Sequence, residues 1–156
     1  MPLSRVGSSL VALALGACAE TAEPLNSERI EAEFGNYGID VLSYSDGLRR
    51  ASLYSTHDGD RIARTYAIVH FDDVPDGIRD NEHARILGGG SIGATFKSAG
   101  WAVQKETLYI DAVDAGDDVH GIRRLMRLDA ATELAMHVYR LHVRKGAEAI
   151  DYATII

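Results

Sequence analysis

The sequence predicts an α+β domain in which short helices pack on a mainly antiparallel sheet of about six strands. Three observations carry this. Period-two alternation runs through three consecutive segments separated by tight-turn residues, Asp46-Gly47 and His57-Asp58-Gly59-Asp60. Glycine-punctuated helical spacing then takes over before period two returns near the carboxyl end. Finally, 156 residues that are 46% hydrophobic and 25% charged have the balance of one ordinary domain with one core.

The elements follow in order. Ser27 is placed to cap a short helix with Ile30 and Phe34 at i, i+4, and Gly35 to end it. Ile39 to Ser45, Arg50 to Ser55 and Arg61 to Phe71 then form a three-stranded meander. Its third strand is apolar on both faces across Tyr66, Ala67, Ile68 and Val69, which predicts a central position. Beyond the break at Pro75, Ile78 to Leu87 reads as a helix stopped by Gly88-Gly89-Gly90. Ser91 caps another helix bearing Ile92, Phe96 and Ala99, ended by Gly100. Trp101 to Ile110 is the next strand, Asp111 to Gly121 an acidic loop, and Ile122 to Leu134 a helix on the spacing of Leu125, Leu128 and Ala131. Met136 to Arg144 and Ile150 to Ile156 are the last two strands, joined by a turn at Lys145-Gly146.

The amino-terminal segment differs from all of this. Arg5 is followed by Val6 to Ala17, which is apolar and uncharged, the pattern of a signal peptide. As a helix it would reach about 18 Å, well short of the roughly 30 Å hydrocarbon core of a bilayer. It ends in Leu15-Gly16-Ala17-Cys18: an aliphatic residue, two small residues and a cysteine. This resembles the lipobox of bacterial lipoproteins, and the resemblance covers only this segment. It implies cleavage before Cys18, a lipid on its thiol, and anchorage to a membrane. Cys18 is also the only cysteine, so no internal disulfide can form, and lipidation would protect a thiol otherwise exposed in an oxidising compartment. Two other readings stay open. Ala17-Cys18-Ala19 also fits ordinary cleavage before Glu20, and the segment could instead be a buried helix of a cytosolic protein. On the lipoprotein reading, residues 1–17 are the signal peptide, 18–26 the lipidated cysteine and a polar tether, and 27–156 a single domain. Ala19 in place of an aspartate implies the outer rather than the inner membrane, by the sorting rule of enterobacterial lipoproteins.

Charge narrows the partners. The formal charge of -7 becomes -8 once Arg5 leaves with residues 1–17, and so acidic a chain is a poor general binder of nucleic acid. On the strand from Met136 to Arg144, the basic residues Arg140, His142 and Arg144 alternate with Tyr139, Leu141 and Val143. Period two puts the basic set on one face, extended by Lys145, as a possible ledge for anionic lipid or another anionic envelope component. The competing reading is that these charges protect a sheet edge from pairing.

The chemical motifs are weak. Gly88-Gly89-Gly90-Ser91-Ile92-Gly93 satisfies G-x-G-x-x-G, but a dinucleotide fingerprint needs a buried strand before it, and Asp80, Glu82, His83 and Arg85 read as helix. A helix corner, or a weak anion site at Ser91, fits better, and Ala94 stands where a Walker A loop needs lysine. His137 and His142 are five apart on a strand and point to opposite faces. His70 and Asp72 share a face, and Asp114, Asp117, Asp118 and His120 form a second cluster; together they are the candidate metal ligands. No nucleophile elbow or raised-pKa carboxylate pair stands out, and no cofactor is indicated. The expected function is therefore a membrane-anchored interaction or accessory lipoprotein, with a metal-assisted hydrolase or other small envelope enzyme as the alternative.

Overall fold

The computed structural model describes residues 23–114, 121–129 and 131–156. Helix α1 spans Asn26–Phe34. It starts from Leu25 and not from Ser27: the Leu25 N–H donates to Glu28 Oε2 at 2.8 Å, the backward-reaching half of a capping box. The Leu25 side chain is buried in the core, two residues ahead of the Ser27 start expected from the sequence. Ser27 is buried inside the helix, with its hydroxyl 3.5 Å from that of Ser91. Gly35 ends α1 in the left-handed region, as expected.

Strands β1 (Gly38–Ser45), β2 (Leu48–His57) and β3 (Asp60–Phe71) form the antiparallel meander. Both hairpin turns, Asp46-Gly47 and Asp58-Gly59, place an aspartate and a glycine at positive φ. That is the geometry in which turn twist matches strand twist. The chain then crosses one face of the sheet through α2 (Asp76–Ile78), a π-helical turn (Arg79–His83), α3 (Ala84–Leu87) and α4 (Ile92–Ser98). Ile78, Ile86, Ile92 and Phe96 are their buried apolar residues. The second meander is β4 (Ala102–Asp114), β5 (Glu133–Lys145) and β6 (Glu148–Ile155), with α5 (Ile122–Leu125) between β4 and β5.

Two expectations in this second half need correction. The helix expected over Ile122 to Leu134 is a single turn: Arg127 takes a positive φ, the Leu128 N–H returns to Arg123 O, and β5 begins at Glu133. The acidic loop begins later than Asp111, because Asp111 to Asp114 continue β4, with Ala112 opposite Ala135 and Val113 opposite Leu134. Ladder pairing of these small and branched residues outweighs the turn preference of the aspartates beside them.

The six strands form one antiparallel sheet in the order β1-β2-β3-β6-β5-β4. Among the described residues the meanders join where Val69 to Phe71 pair with Ile155 to Ala153, extended by reciprocal backbone bonds between Ile68 and Ile156 and by the Asp72 N–H donating to Tyr152 O. The helices cover the face that carries Ala67, Val69, Leu141, Val143 and Ile155. Tyr152 of β6 is fully buried at the centre of this core, edge-on to Phe96 at 4.7 Å. The strand expected at the carboxyl end is therefore the seam of the sheet. The outer strands leave apolar side chains exposed, Leu42 and Tyr44 on β1 and Leu108, Tyr109 and Ile110 on β4. No helix among the described residues is long and apolar enough to cross a membrane.

Candidate functional site

Cys18, Asp117, Asp118 and His120 lie outside the described residues. His70 and Asp72 do meet at the end of β3, Nδ1 to Oδ1 at 3.1 Å, and Thr154 Oγ1 donates to Asp72 Oδ2 at 2.7 Å. Asp114 does not join them. His70 is level with Thr154 and Arg140, whereas Asp114 is level with Glu133, seven residues further along β5 or about 23 Å. Among the described residues, no three of His, Cys, Asp and Glu gather as a metal site.

Arg140, His142 and Arg144 do share the face opposite Tyr139, Leu141 and Val143, which are buried. Carboxylates on the neighbouring strands already take two of them. Glu106 sits directly across from Arg140 on β4, with Oε2 3.5 Å from Arg140 Nη1 and 3.0 Å from His142 Nε2. Asp151 on β6 closes the other side, 2.6 Å from His142 Nδ1. Lys145 does not extend the ledge: its ammonium donates to Ala99 O at 2.8 Å and lies 5.7 Å from the Trp101 ring. Nor do these charges protect an edge, since β5 is flanked by β4 and β6. His137, on the other face, is held 2.9 Å from Thr107 Oγ1.

The glycine-rich corner serves packing. A Cβ at Gly90 would come within 2.8 Å of Arg85 O and 2.9 Å of Thr95 Oγ1, and one at Gly93 would collide with Leu25. Only Gly89 of the run needs a positive φ.

Sequence reasoning missed Arg49, the buried side chain with an unsatisfied polar atom among the described residues. It lies opposite Val69, on the covered face of the sheet, and is 2% exposed. Its Nη2 donates to Gly90 O at 3.2 Å, and its Nε is buried with no acceptor. Burial pushes its pKa below the ordinary value, although a guanidinium stays charged in a protein. The side chain lines a cavity of about 60 Å³, with the hydroxyl-bearing Ser27 and Ser91 and a wall of Leu25, Val69, Ile92, Leu141 and Ile155. The available signal was register: a strand that starts at Leu48 puts Arg49 inward with Ala51.

Two other covered groups are satisfied. The Lys105 side chain is 1% exposed, but its Nζ donates to Pro24 O at 2.8 Å and lies 3.9 Å from Glu23. His83, turned inward by the π-helical turn, meets the Tyr152 hydroxyl at 2.7 Å. Burial lowers the His83 pKa, and Arg79 lowers it further. Burial pushes Tyr139 up to about 12. Where the two meanders diverge, a cleft of about 580 Å³ opens between Phe34, Tyr66, Ile68, Met126, Met136 and Ile156. That is the size of a small-molecule or peptide site, lined mostly by apolar groups. No protein-family model matches the chain, and no curated protein matches it in sequence.

Proposed function

We propose that this chain is an envelope lipoprotein, held on a membrane by lipid on Cys18, whose domain works as an interaction or accessory module. The observation that carries the reading is the single cysteine at Leu15-Gly16-Ala17-Cys18, where uncharged apolar sequence gives way to a polar stretch. Ala19 at the next position favours the outer membrane. The geometry of the described residues supports binding over catalysis. Exposed ionisable groups pair with one another on strands, as in Glu106 with Arg140 and His142, and the cleft has a mainly apolar lining with Arg29, Glu33, Arg64 and His137 among its residues, a composition suited to holding a partner. Anionic lipid or another anionic envelope component is the partner class suited to the Arg140, His142 and Arg144 face. Contact there is weak, because Glu106 and Asp151 already engage two of the three side chains, Arg140 and His142.

Palmitate labelling in an expressing bacterium tests the anchor. The wild-type chain should incorporate label and fractionate with membranes. Cys18→Ser should take up no label and either stay uncleaved or leave the membrane fraction. Equal labelling of both proteins contradicts the reading.

A further inference from the structure

We propose that the cavity beneath β2 and β3 is a binding site for a short-chain organic carboxylate, with its head group on Arg49 and its carbon tail against the apolar wall. This does not depend on the lipid anchor. A guanidinium has five N–H donors in a planar fork matched to a carboxylate. One donor of Arg49 goes to Gly90 O, and Nε has no acceptor among the described residues. No carboxylate among the described residues is paired with it, although the other strongly buried cation and imidazole described above, Lys105 and His83, have partners. A cation taken out of water without a counter-charge costs free energy unless an anion joins it.

The surroundings specify the anion. Ser27 and Ser91 bring two hydroxyls to the same cavity, 3.5 Å apart, each able to donate to an oxygen of the ligand. Leu25, Ile92, Leu141 and Ile155 supply an apolar wall that hydrated inorganic oxyanions do not match. The volume of about 60 Å³ is small, which favours a short-chain carboxylate over a long-chain one. Leu25 and Ser27, at the start of α1, form part of the cavity wall.

The test uses the full chain carrying Cys18→Ser and reads calorimetric binding and thermal midpoint with sodium acetate, propionate, butyrate and hexanoate. Sodium chloride, inorganic phosphate and neutral propanol are the controls. Saturable binding of propionate or butyrate, weaker for hexanoate and absent for propanol and phosphate, is the expected result. Arg49→Met should lower that affinity by about tenfold or more, and Ser27→Ala and Ser91→Ala by smaller factors. Should Arg49→Met fail to fold, the two serine variants carry the test, since neither removes the buried charge. The proposal is overturned if no carboxylate binds saturably, if phosphate or chloride produces the same response, or if the Arg49 and serine variants that fold bind as well as the parent.

Discussion

The two faces of the sheet treat the same kinds of side chain in opposite ways. On the open face, Arg140 and His142 are matched by Glu106 and Asp151 from the adjacent strands. On the helix-covered face, Arg49 is more deeply buried and has one carbonyl for a partner. Water and salt screen the open face, so its ion pairs contribute little and could be rearranged with small effect. Under the helices no such screening is available, and an unmatched charge there is a feature that packing alone would remove. The comparison separates charges that keep a surface soluble from a charge positioned for a ligand.

The largest expected effect comes from removing the strand on which both faces depend. Deleting residues 150–156 takes away Ile150, Tyr152 and Ile155, all buried, and the seam that joins the meanders among the described residues. At about 1.5 to 3 kcal/mol for each large apolar side chain, the loss should reach about 5 kcal/mol or more, comparable with the whole stability of an ordinary domain. Circular dichroism on heating should show no cooperative transition; an unchanged midpoint would contradict the placement of β6.

A smaller effect is expected at His83, on the covered side. Its folded pKa is depressed by burial, so at mildly acidic pH the unfolded chain binds a proton that the folded chain refuses. The stability this contributes is complete above the unfolded value of about 6.5 and is lost as pH falls below it. Urea unfolding of the wild type from pH 7.5 to 5 should show this slope, and His83→Gln, whose amide can still meet the Tyr152 hydroxyl, should be flatter. Parallel curves would mean that His83 is protonated in the fold.

The open face should respond least. Glu106→Gln should change stability by no more than about 1 kcal/mol, because the pairs it breaks are half exposed. Its clearer consequence is on binding. The full chain with Cys18→Ser should cosediment weakly with anionic vesicles at low salt, more strongly with Glu106→Gln, and not at all with Arg140→Glu and Arg144→Glu together. Equal sedimentation of all three would remove this face from the account.

Much of the fold was legible in the sequence because local and global preferences agree there. Asp46-Gly47 and Asp58-Gly59 fix two hairpins by turn chemistry alone, and Gly35 and Gly100 end helices where positive φ is needed. Legibility failed where tertiary pairing overrode local preference. Leu125 and Leu128 have helical spacing but flank a break at Arg127, and the aspartates of β4 hide a ladder continued by Ala112 and Val113. The basic ledge was visible as alternation on β5, yet its neutralisation was not, because Glu106 lies 36 residues before His142 and the pairing with Asp151 depends on a shifted β5–β6 register. Arg49 was hidden for the related reason that its burial depends on α1 and on the Gly90 corner closing over β2.

The contrast between the faces is tested most directly by the unfolding free energy of Arg49→Met against the parent chain in buffer free of organic anions. Methionine keeps an unbranched apolar side chain in the site and removes one hydrogen bond to Gly90 O together with a charge that no carboxylate among the described residues matches. The account predicts stability within about 1 kcal/mol of the parent or above it, the behaviour of a buried charge replaced by an apolar residue. A loss of about 3 kcal/mol or more would contradict the contrast between the faces by showing that the chain itself satisfies the guanidinium, and the carboxylate site would then stand or fall on the Ser27 and Ser91 variants.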